Sequence, residues 1–259
     1  MLREETVFGP IRSRRLGSSL GINLLPTKGK ICNFDCIYCE CGWNADGRSD
    51  TVLPTAARVR NALEDKLMQL IVDGTPVDSI TFSGDGEPTL NPEFPRIIED
   101  TLLLRDAYYP SAKVSVLSNA TRVHIDEIFE ALRKVDNPIM KIDAPSDALA
   151  ALINRPAPGY SVSRTVEALK RFEGDFILQT MFLRARGTSP DGVPFSFDSS
   201  SPEVLLPWMD IVRELRPRQI QVYTIDRPTP LQGLEKIITD EMKALVEPLL
   251  TEGFNIQFR

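Results

Sequence analysis

Short apolar strands and amphipathic helices alternate along most of this chain of 259 residues. Apolar residues recur at helical spacing between Val59 and Ile71 and between Met242 and Leu250, and similar stripes separate the candidate strands. The candidate strands span residues 18–25, 78–83, 113–118, 139–143, 176–183 and 219–224. This order predicts repeated βαβ units and a parallel sheet that is buried on both faces. Since about six strands are found where a closed barrel needs eight, the expected fold is α/β, an open partial (β/α)6 barrel with short N- and C-terminal extensions.

The chain shows no linker, so the sequence predicts a single domain over residues 1–259. Its core is expected at about residues 21–226, followed by a terminal helix and a possible strand within 239–259. Residues 7–17 are rich in turn formers, and residues 187–201 form the longest irregular stretch. The second stretch is predicted as a lid or substrate loop.

Composition argues against several classes of protein. The content of 42% hydrophobic and 25% charged residues is ordinary for a globular protein, and no apolar run approaches the ~20 residues of a membrane helix. A net charge of −6 disfavours a broad basic surface for nucleic acid. The four cysteines fall within ten residues and no secretory signal opens the chain. This pattern predicts a reducing, cytoplasmic location.

Polar residues follow three of the candidate strands. Residues 83–87 follow the second strand, Ser118 and Asn119 lie at the end of the third, and Asp143 ends the fourth. Because ligands of such sheets bind beyond the carboxyl ends of the strands, these residues are expected at one mouth. Glycines let the backbone approach a ligand closely, which favours Gly84-Asp85-Gly86 as a binding turn. Lys141 and Asp143 face the same way, and they are expected either to pair with each other or to face this mouth.

Cys32, Cys36 and Cys39 are separated by three and then by two residues. Thiolates this close can bind one soft metal centre, and three of them leave one iron of a four-iron, four-sulfur cluster uncovered by protein. With Cys41, the same stretch also permits a structural zinc site of four thiolates. Zinc sites usually use two separated pairs, so the cluster is the preferred interpretation and Cys41 is left out of it.

The stretch Cys32-Asn33-Phe34-Asp35-Cys36-Ile37-Tyr38-Cys39 resembles the signature of the radical S-adenosylmethionine (radical SAM) superfamily, and residues 83–89 resemble its glycine-rich turn. The resemblance implies a partial barrel of the radical SAM type with two cofactors, a [4Fe-4S] cluster and S-adenosylmethionine. It implies reductive cleavage of that cofactor to a 5'-deoxyadenosyl radical, which removes hydrogen from a substrate. The cluster ligands, and so the catalytic residues, would be Cys32, Cys36 and Cys39. The residues implied to bind S-adenosylmethionine are Tyr38, Gly84, Asp85, Gly86, Glu87, Ser118, Asn119 and Asp143.

The resemblance extends to one branch of this superfamily. Residues 8–10, 13–17, 32–40, 83–89 and 223–228 are similar to iron–sulfur oxidoreductases related to the wyosine-type tRNA-modifying synthases. Archaeal synthases of that type carry further cysteines for a second cluster. All four cysteines of this chain fall in one group, so a second three-cysteine cluster is excluded.

The family implies flavodoxin or ferredoxin as the electron donor and leaves the substrate open among small molecules, proteins and tRNA. Alternative functions are activation of a glycyl-radical enzyme, modification of a tRNA base, and a zinc-stabilised binding module. An anionic substrate group would suit arginine, since guanidinium groups match carboxylates and phosphates. The candidate arginines are Arg12, Arg14, Arg15 and Arg227.

Overall fold

The computed structural model of the protein describes residue 2 and residues 5–13, 17–46, 50–188 and 192–259. Two of the candidate arginines, Arg14 and Arg15, lie outside these residues. The strands are β1 (Val7–Ser13), β2 (Gly17–Ile22), β3 (Ser79–Phe82), β4 (Lys113–Ser118), β5 (Asn137–Lys141), β6 (Ile177–Met181), β7 (Leu183–Thr188), β8 (Pro194–Asp198), β9 (Gln219–Tyr223), β10 (Glu235–Lys236) and β11 (Ile256–Phe258). The helices are α1 (Ala56–Val72), α2 (Phe94–Tyr108), α3 (Asp126–Lys134), α4 (Asp147–Ile153), α5 (Val162–Lys170), α6 (Pro202–Leu215), α7 (Thr239–Leu245), α8 (Glu247–Thr251) and a short 3-10 helix (Pro88–Leu90).

Eight strands form one sheet in the order β1-β2-β3-β4-β5-β6-β9-β11. β1 is antiparallel to β2, whereas β2, β3 and β4 run parallel, as do β6, β9 and β11. Within the described residues the outer strands β1 and β11 are not paired with each other, so the sheet is open. The predicted α/β class and the open, partial barrel are therefore confirmed. The six candidate strands correspond to β2 through β6 and β9.

Strands also lie in two segments outside the six candidate strands, and the prediction of residues 187–201 as a loop was wrong for β8. In the turn-rich N-terminal segment, β1 pairs with β2 with a bulge between Phe8 and Ile11, where Gly9 has a φ of +96°. Gly9 and Pro10 thus fall where the ladder is interrupted, and an edge strand tolerates proline. Further along the chain, β7 and β8 form a second sheet with β10. The predicted strand 176–183 is consequently two strands, because the chain changes sheets at Phe182.

The chain forms two compact units, each discontinuous in sequence. Unit 1 contains the described residues within 1–33, 44–118 and 122–139, and unit 2 those within 34–43, 119–121 and 140–259. β5 contributes its first residues to unit 1 and its last to unit 2. The single-domain boundaries inferred from the sequence stay a prediction.

In unit 1 the parallel strands carry apolar side chains on one face and hydroxyl groups on the other. Phe82 contacts Phe94 of α2, with ring centroids 6.3 Å apart, so the apolar face lies under that helix. On the other face the Thr81 hydroxyl lies 2.8 Å from that of Ser19 and 3.0 Å from that of Ser79. Buried hydroxyls are stable there because they bond to one another.

In unit 2 helix α6 is fixed on β6 by one tryptophan. Trp208 donates from Nε1 to Thr180 Oγ1 at 3.1 Å, and its ring lies edge-on to Phe182 at 5.2 Å. On the same strand Gln179 donates to Gln221 of β9 at 3.1 Å. Each buried polar group of β6 thus has a partner, which holds the carboxyl ends of β6 and β9 side by side.

Candidate functional site

In unit 1 the cysteine motif begins beside the glycine turn. Ile31 and Gly86 form a parallel bridge, in which Ile31 N donates to Asp85 O at 3.0 Å and Glu87 N donates to Ile31 O at 3.1 Å. Only glycine fits this bridge, since Gly86 has a φ of +137° and a Cβ there would lie 1.9 Å from the Ile31 carbonyl oxygen. The bridge therefore places Cys32, the next residue of the chain, close to the turn that ends in Glu87.

A buried asparagine supports the same turn. Asn23, at the carboxyl end of β2, accepts from Asp85 N at 3.1 Å and donates from Nδ2 to Asp85 Oδ2 at 3.0 Å. Gly84 is required here as well, because a Cβ would lie 2.1 Å from Asn23 Oδ1. Asp85 thus has a structural partner in the turn, and its predicted role toward S-adenosylmethionine stays a prediction. The sequence contained a signal for Asn23, since a polar residue inside an apolar run needs a partner when buried.

Two predicted binding residues, Glu87 and Ser118, meet in unit 1. Glu87 Oε1 accepts from Ser118 Oγ at 2.8 Å, and from Thr89 through its hydroxyl at 2.6 Å and its amide at 3.2 Å. The three bonds hold the buried carboxylate in one orientation at the carboxyl ends of β3 and β4. A carboxylate held in this way is suited to a cationic group of a ligand.

In unit 2 the cysteine loop is held by the end of α4. Ile37 N donates to Ile153 O at 2.9 Å, and Asp35 N donates to Asn154 O at 2.9 Å. Within the loop, Cys39 N donates to Cys36 O at 3.1 Å, so these two cysteines flank one tight turn. The backbone on both sides of Cys36 is therefore fixed by residues that lie far away in the sequence.

Asp143 is the centre of a buried polar cluster in unit 2. Its Oδ1 accepts from Met181 N at 2.8 Å and lies 3.3 Å from Lys141 Nζ, while its Oδ2 accepts from the Tyr38 hydroxyl and from Asn154 Nδ2 at 2.7 Å. The structure thus confirms the expected pairing of Lys141 with Asp143. A binding role for Asp143 toward the cofactor stays a prediction.

The charged form of Lys141 is favoured among these polar groups. Its ammonium group contacts the Tyr223 hydroxyl and lies 5.1 Å from the centre of the Tyr38 ring. Burial alone would lower the pKa of Lys141, but the Asp143 carboxylate and Tyr223 raise it above its usual value. The pKa of Tyr38 is raised as well, first by burial and then by Asp143, so its hydroxyl stays protonated as a donor.

Asn154 connects the polar side chains around Asp143 to Cys36, a predicted ligand of the iron–sulfur cluster. Its Nδ2 lies 3.5 Å from Cys36 Sγ and 2.7 Å from the Tyr38 oxygen. Burial, followed by the negative charge of Asp143, raises the pKa of the Cys36 thiol to about 11. No local feature of the sequence points to Asn154, because an asparagine that follows a short helix usually belongs to a turn.

The remaining candidate residues have other surroundings. Asn119 accepts at Oδ1 from the Thr121 amide at 3.1 Å and from its hydroxyl at 2.7 Å, which is a local turn, and its ribose-binding role stays a prediction. Arg12 lies exposed on β1. Arg227 forms an exposed ion pair with Glu40 at 2.7 Å. Nothing in these contacts assigns a substrate group to either arginine.

The chemistry of the three cysteines fits an iron–sulfur cluster. None of the four cysteines of the chain forms a disulfide, and thiolate sulfur is the ligand that such clusters use. The amide of Asn154 supplies a hydrogen-bond donor at one of these sulfurs. In the part of the chain that the structure describes, no three His, Cys, Asp or Glu side chains form a group that could hold a metal ion. The ligand set therefore stays a prediction. Among the same residues, no helix is long and apolar enough to cross a membrane.

Two curated relatives and two solved structures are similar to the chain. It is 27% identical over 246 residues to a Brachyspira hyodysenteriae protein named GTPase Obg, covering 93% of this chain and 33% of that protein. It is 27% identical over 243 residues to a UPF0026 protein of Helicobacter pylori, covering 91% of this chain and 71% of that protein. The chain thus spans only a third of the first relative and about seven tenths of the second.

The solved structures share the fold. A radical SAM methyltransferase from Sphaerobacter thermophilus gives a TM-score of 0.67 at 17% identity, over 93% of this chain and 65% of that one. A structure of TYW1 with a lysine–pyruvate adduct bound gives a TM-score of 0.60 at 13% identity, over 93% of this chain and 76% of that chain. A family model described as the radical SAM superfamily matches residues 27–183, which contain the cysteine motif, the glycine turn and the Asp143 cluster up to β6. The chain therefore belongs to the radical SAM superfamily.

Proposed function

We propose that the chain is a radical SAM enzyme in which Cys32, Cys36 and Cys39 hold a [4Fe-4S] cluster and S-adenosylmethionine is the cofactor. The observation that carries the proposal is the bridge between Ile31 and Gly86. It joins the start of the cysteine motif to the glycine turn inside one compact unit. Backbone hydrogen bonds thereby join the cysteine motif to the glycine turn, and only glycine at position 86 permits these bonds.

In this proposal Glu87, supported by Ser118 and Thr89, binds the methionine part of S-adenosylmethionine. When bound, the reduced cluster supplies the electron that cleaves S-adenosylmethionine to methionine and a 5'-deoxyadenosyl radical, and this radical removes hydrogen from an unactivated carbon of the substrate. Glu87 holds the ammonium group of the methionine part, because a carboxylate forms strong charge-assisted hydrogen bonds. Ser118 and Thr89 keep that carboxylate in place.

The other contacts of the cofactor follow from the family resemblance in this proposal. The backbone of Gly84, Asp85 and Gly86 lies against the methionine part, Ser118 and Asn119 serve the ribose, and Tyr38 serves the adenine. Asp143 keeps Tyr38 oriented through its hydroxyl and so acts on the cofactor through another residue. The chain positions the reacting atoms and excludes water, while the radical chemistry belongs to the cofactor.

The electron comes from flavodoxin or ferredoxin in this proposal. The TYW1 structure contains a lysine–pyruvate adduct, and a similar adduct is disfavoured at Lys141. Such an adduct needs a neutral amine, whereas Asp143 and Tyr223 raise the pKa of Lys141 and so favour its charged form. Lys141 therefore serves as a structural cation for Asp143.

The test is anaerobic incubation of the reconstituted protein with dithionite and S-adenosylmethionine, followed by measurement of 5'-deoxyadenosine. The wild type should form the product and bind about four iron atoms per chain, as a [4Fe-4S] cluster requires. The C36A variant should lose both the cluster and the product. The matched control is C41A, which removes a nearby thiol outside the proposed ligand set and should retain both.

Two results would contradict the proposal. One zinc per chain with no iron after anaerobic reconstitution would support the zinc-stabilised module instead. Product formation by C36A at the wild-type rate would show that this sulfur is not a ligand. Transfer of a radical to a glycine of a co-purifying partner would retain the cluster chemistry but identify an activating enzyme.

A further inference from the structure

Asn154 is held so that its amide nitrogen faces three acceptors. Nδ2 lies 2.7 Å from Asp143 Oδ2, 2.7 Å from the Tyr38 oxygen and 3.5 Å from Cys36 Sγ. An ionised carboxylate only accepts hydrogen bonds, so the nitrogen and not the oxygen of the amide must face Asp143. The amide nitrogen carries two hydrogens, so it can donate both to the neighbouring oxygens of Asp143 and Tyr38 and to the sulfur.

The orientation of this amide is fixed from both ends. The backbone carbonyl of Asn154 accepts from Asp35 N at 2.9 Å, which ties the residue to the loop that carries Cys36. Asp143, which the amide contacts, is itself held by the Met181 amide at 2.8 Å and by Lys141 at 3.3 Å. Asn154 is also almost fully buried, with 2% of its surface exposed. The donor therefore cannot turn away to water.

A donor at a ligand sulfur changes the energy of adding an electron to a cluster. Reduction places more negative charge on the sulfurs, so an N–H group directed at one of them stabilises the reduced state and raises the reduction potential. The charge of Asp143 would act in the opposite direction, but the ammonium group of Lys141 lies next to it. Asp143 and Lys141 both remain when Asn154 is replaced, so a comparison of variants at position 154 isolates the effect of its N–H group on Cys36.

We infer that Asn154 is a positioning residue that sets the reduction potential of the cluster by donating a hydrogen bond to Cys36 Sγ, with Asp143 and Lys141 holding its amide in place. This inference rests on the proposed function, because it requires Cys36 to be a cluster ligand. It adds a residue outside the cysteine motif and the glycine turn to the machinery of electron uptake.

The test compares two variants that each remove a buried asparagine amide. N154L keeps the branched shape of the side chain and removes the donor. N91L is the matched control, because Asn91 is equally buried and donates from Nδ2 to the carbonyls of Leu24 and Pro54, which are not part of the cysteine loop. The midpoint potential of the reconstituted cluster is measured by anaerobic redox titration with detection by electron paramagnetic resonance.

In N154L the equilibrium constant for one-electron reduction should fall about tenfold, which corresponds to a potential about 59 mV lower. N91L should keep the wild-type potential. A cluster in N154L with the wild-type potential would overturn the inference while leaving the proposed function intact. Absence of any cluster in the wild type would instead defeat the proposed function.

A second measurement covers the case in which N154L fails to load a cluster. The wild type is labelled with ¹⁵N in its asparagine side chains and studied in the reduced state by pulsed electron paramagnetic resonance. A hyperfine coupling to a side-chain ¹⁵N supports the inference, and N91L should retain it. If the reduced wild type shows no such coupling, the hydrogen bond to the cluster does not exist and the inference is wrong.

Discussion

Replacing Gly86 with alanine should separate the cysteine motif from the glycine turn. The new Cβ would lie 1.9 Å from the Ile31 carbonyl oxygen and 2.8 Å from Leu25 Cδ1. The carbonyl belongs to the backbone, so no side-chain rotation relieves the contact. Ile31 must move away, and its two hydrogen bonds, to Asp85 O and from Glu87 N, are lost with that movement.

The cost follows from two contributions. A residue other than glycine in this region of positive φ costs about 1–3 kcal/mol. Two backbone hydrogen bonds add about 0.5–1.5 kcal/mol each, so the free energy of unfolding should fall by roughly 2–6 kcal/mol. Set against a typical total of about 5–15 kcal/mol, this is a large fraction. A change in the middle of this range would lower the melting temperature by about 10 °C.

The matched control is G74A. Gly74 also has a positive φ, of +64°, but nothing lies within 4 Å of the position of its Cβ. Alanine there costs only the backbone strain, about 1–2 kcal/mol. Thermal and urea unfolding are measured on the proteins without bound cluster. G86A should be the least stable, G74A intermediate and the wild type the most stable.

Hydrogen exchange gives the sharper measurement. The amides of Ile31 and Glu87 are the two donors of the bridge, and both should exchange faster in G86A than in the wild type or in G74A. G86A should also bind less iron on reconstitution. The reasoning is refuted if both amides stay protected in G86A and its stability equals that of G74A.

Two further predictions concern carboxylates of unit 1. Burial raises the pKa of Asp136, but hydrogen bonds from the Val114 amide, Lys113 and Arg105 outweigh it and hold the pKa below its usual value. The ionised Asp136 therefore stabilises the fold above the ordinary carboxyl pKa, and this stabilisation is lost as the pH falls. In urea unfolding at neutral pH, D136N should be about 1–3 kcal/mol less stable than the wild type. The difference in stability between the two proteins should become smaller below about pH 4. An equal difference in stability between D136N and the wild type at neutral pH and at low pH would contradict this prediction. E87Q keeps the shape and removes the charge of Glu87, so S-adenosylmethionine should bind roughly 10- to 100-fold more weakly to the cluster-loaded protein in anaerobic equilibrium dialysis. Unchanged affinity at equal iron content would remove Glu87 from the site.

Periodicity along the chain was sufficient for much of the fold. The strand expected at residues 113–118 is β4 to the residue, and the apolar stripe from Val59 to Ile71 lies within α1. These patterns reflect side-chain spacing in a strand or helix, which is a local property of the chain. Periodicity failed for β1, β7 and β8. Those strands contain glycine or proline at a bulge or lie in a second sheet, so their pairing partners and not their composition determine them.

The sequence alone determined which residues can carry the chemistry: three thiols at a spacing that suits one soft metal centre, and a glycine turn that ends in a carboxylate. Only the tertiary structure decided that Ile31 pairs with Gly86 and that Asn154 reaches Cys36 across 118 residues. The spacing of neighbouring ligands is a property of a short stretch of chain. A hydrogen bond between distant residues depends instead on strand order, register and the path of the helices, which no single stretch contains.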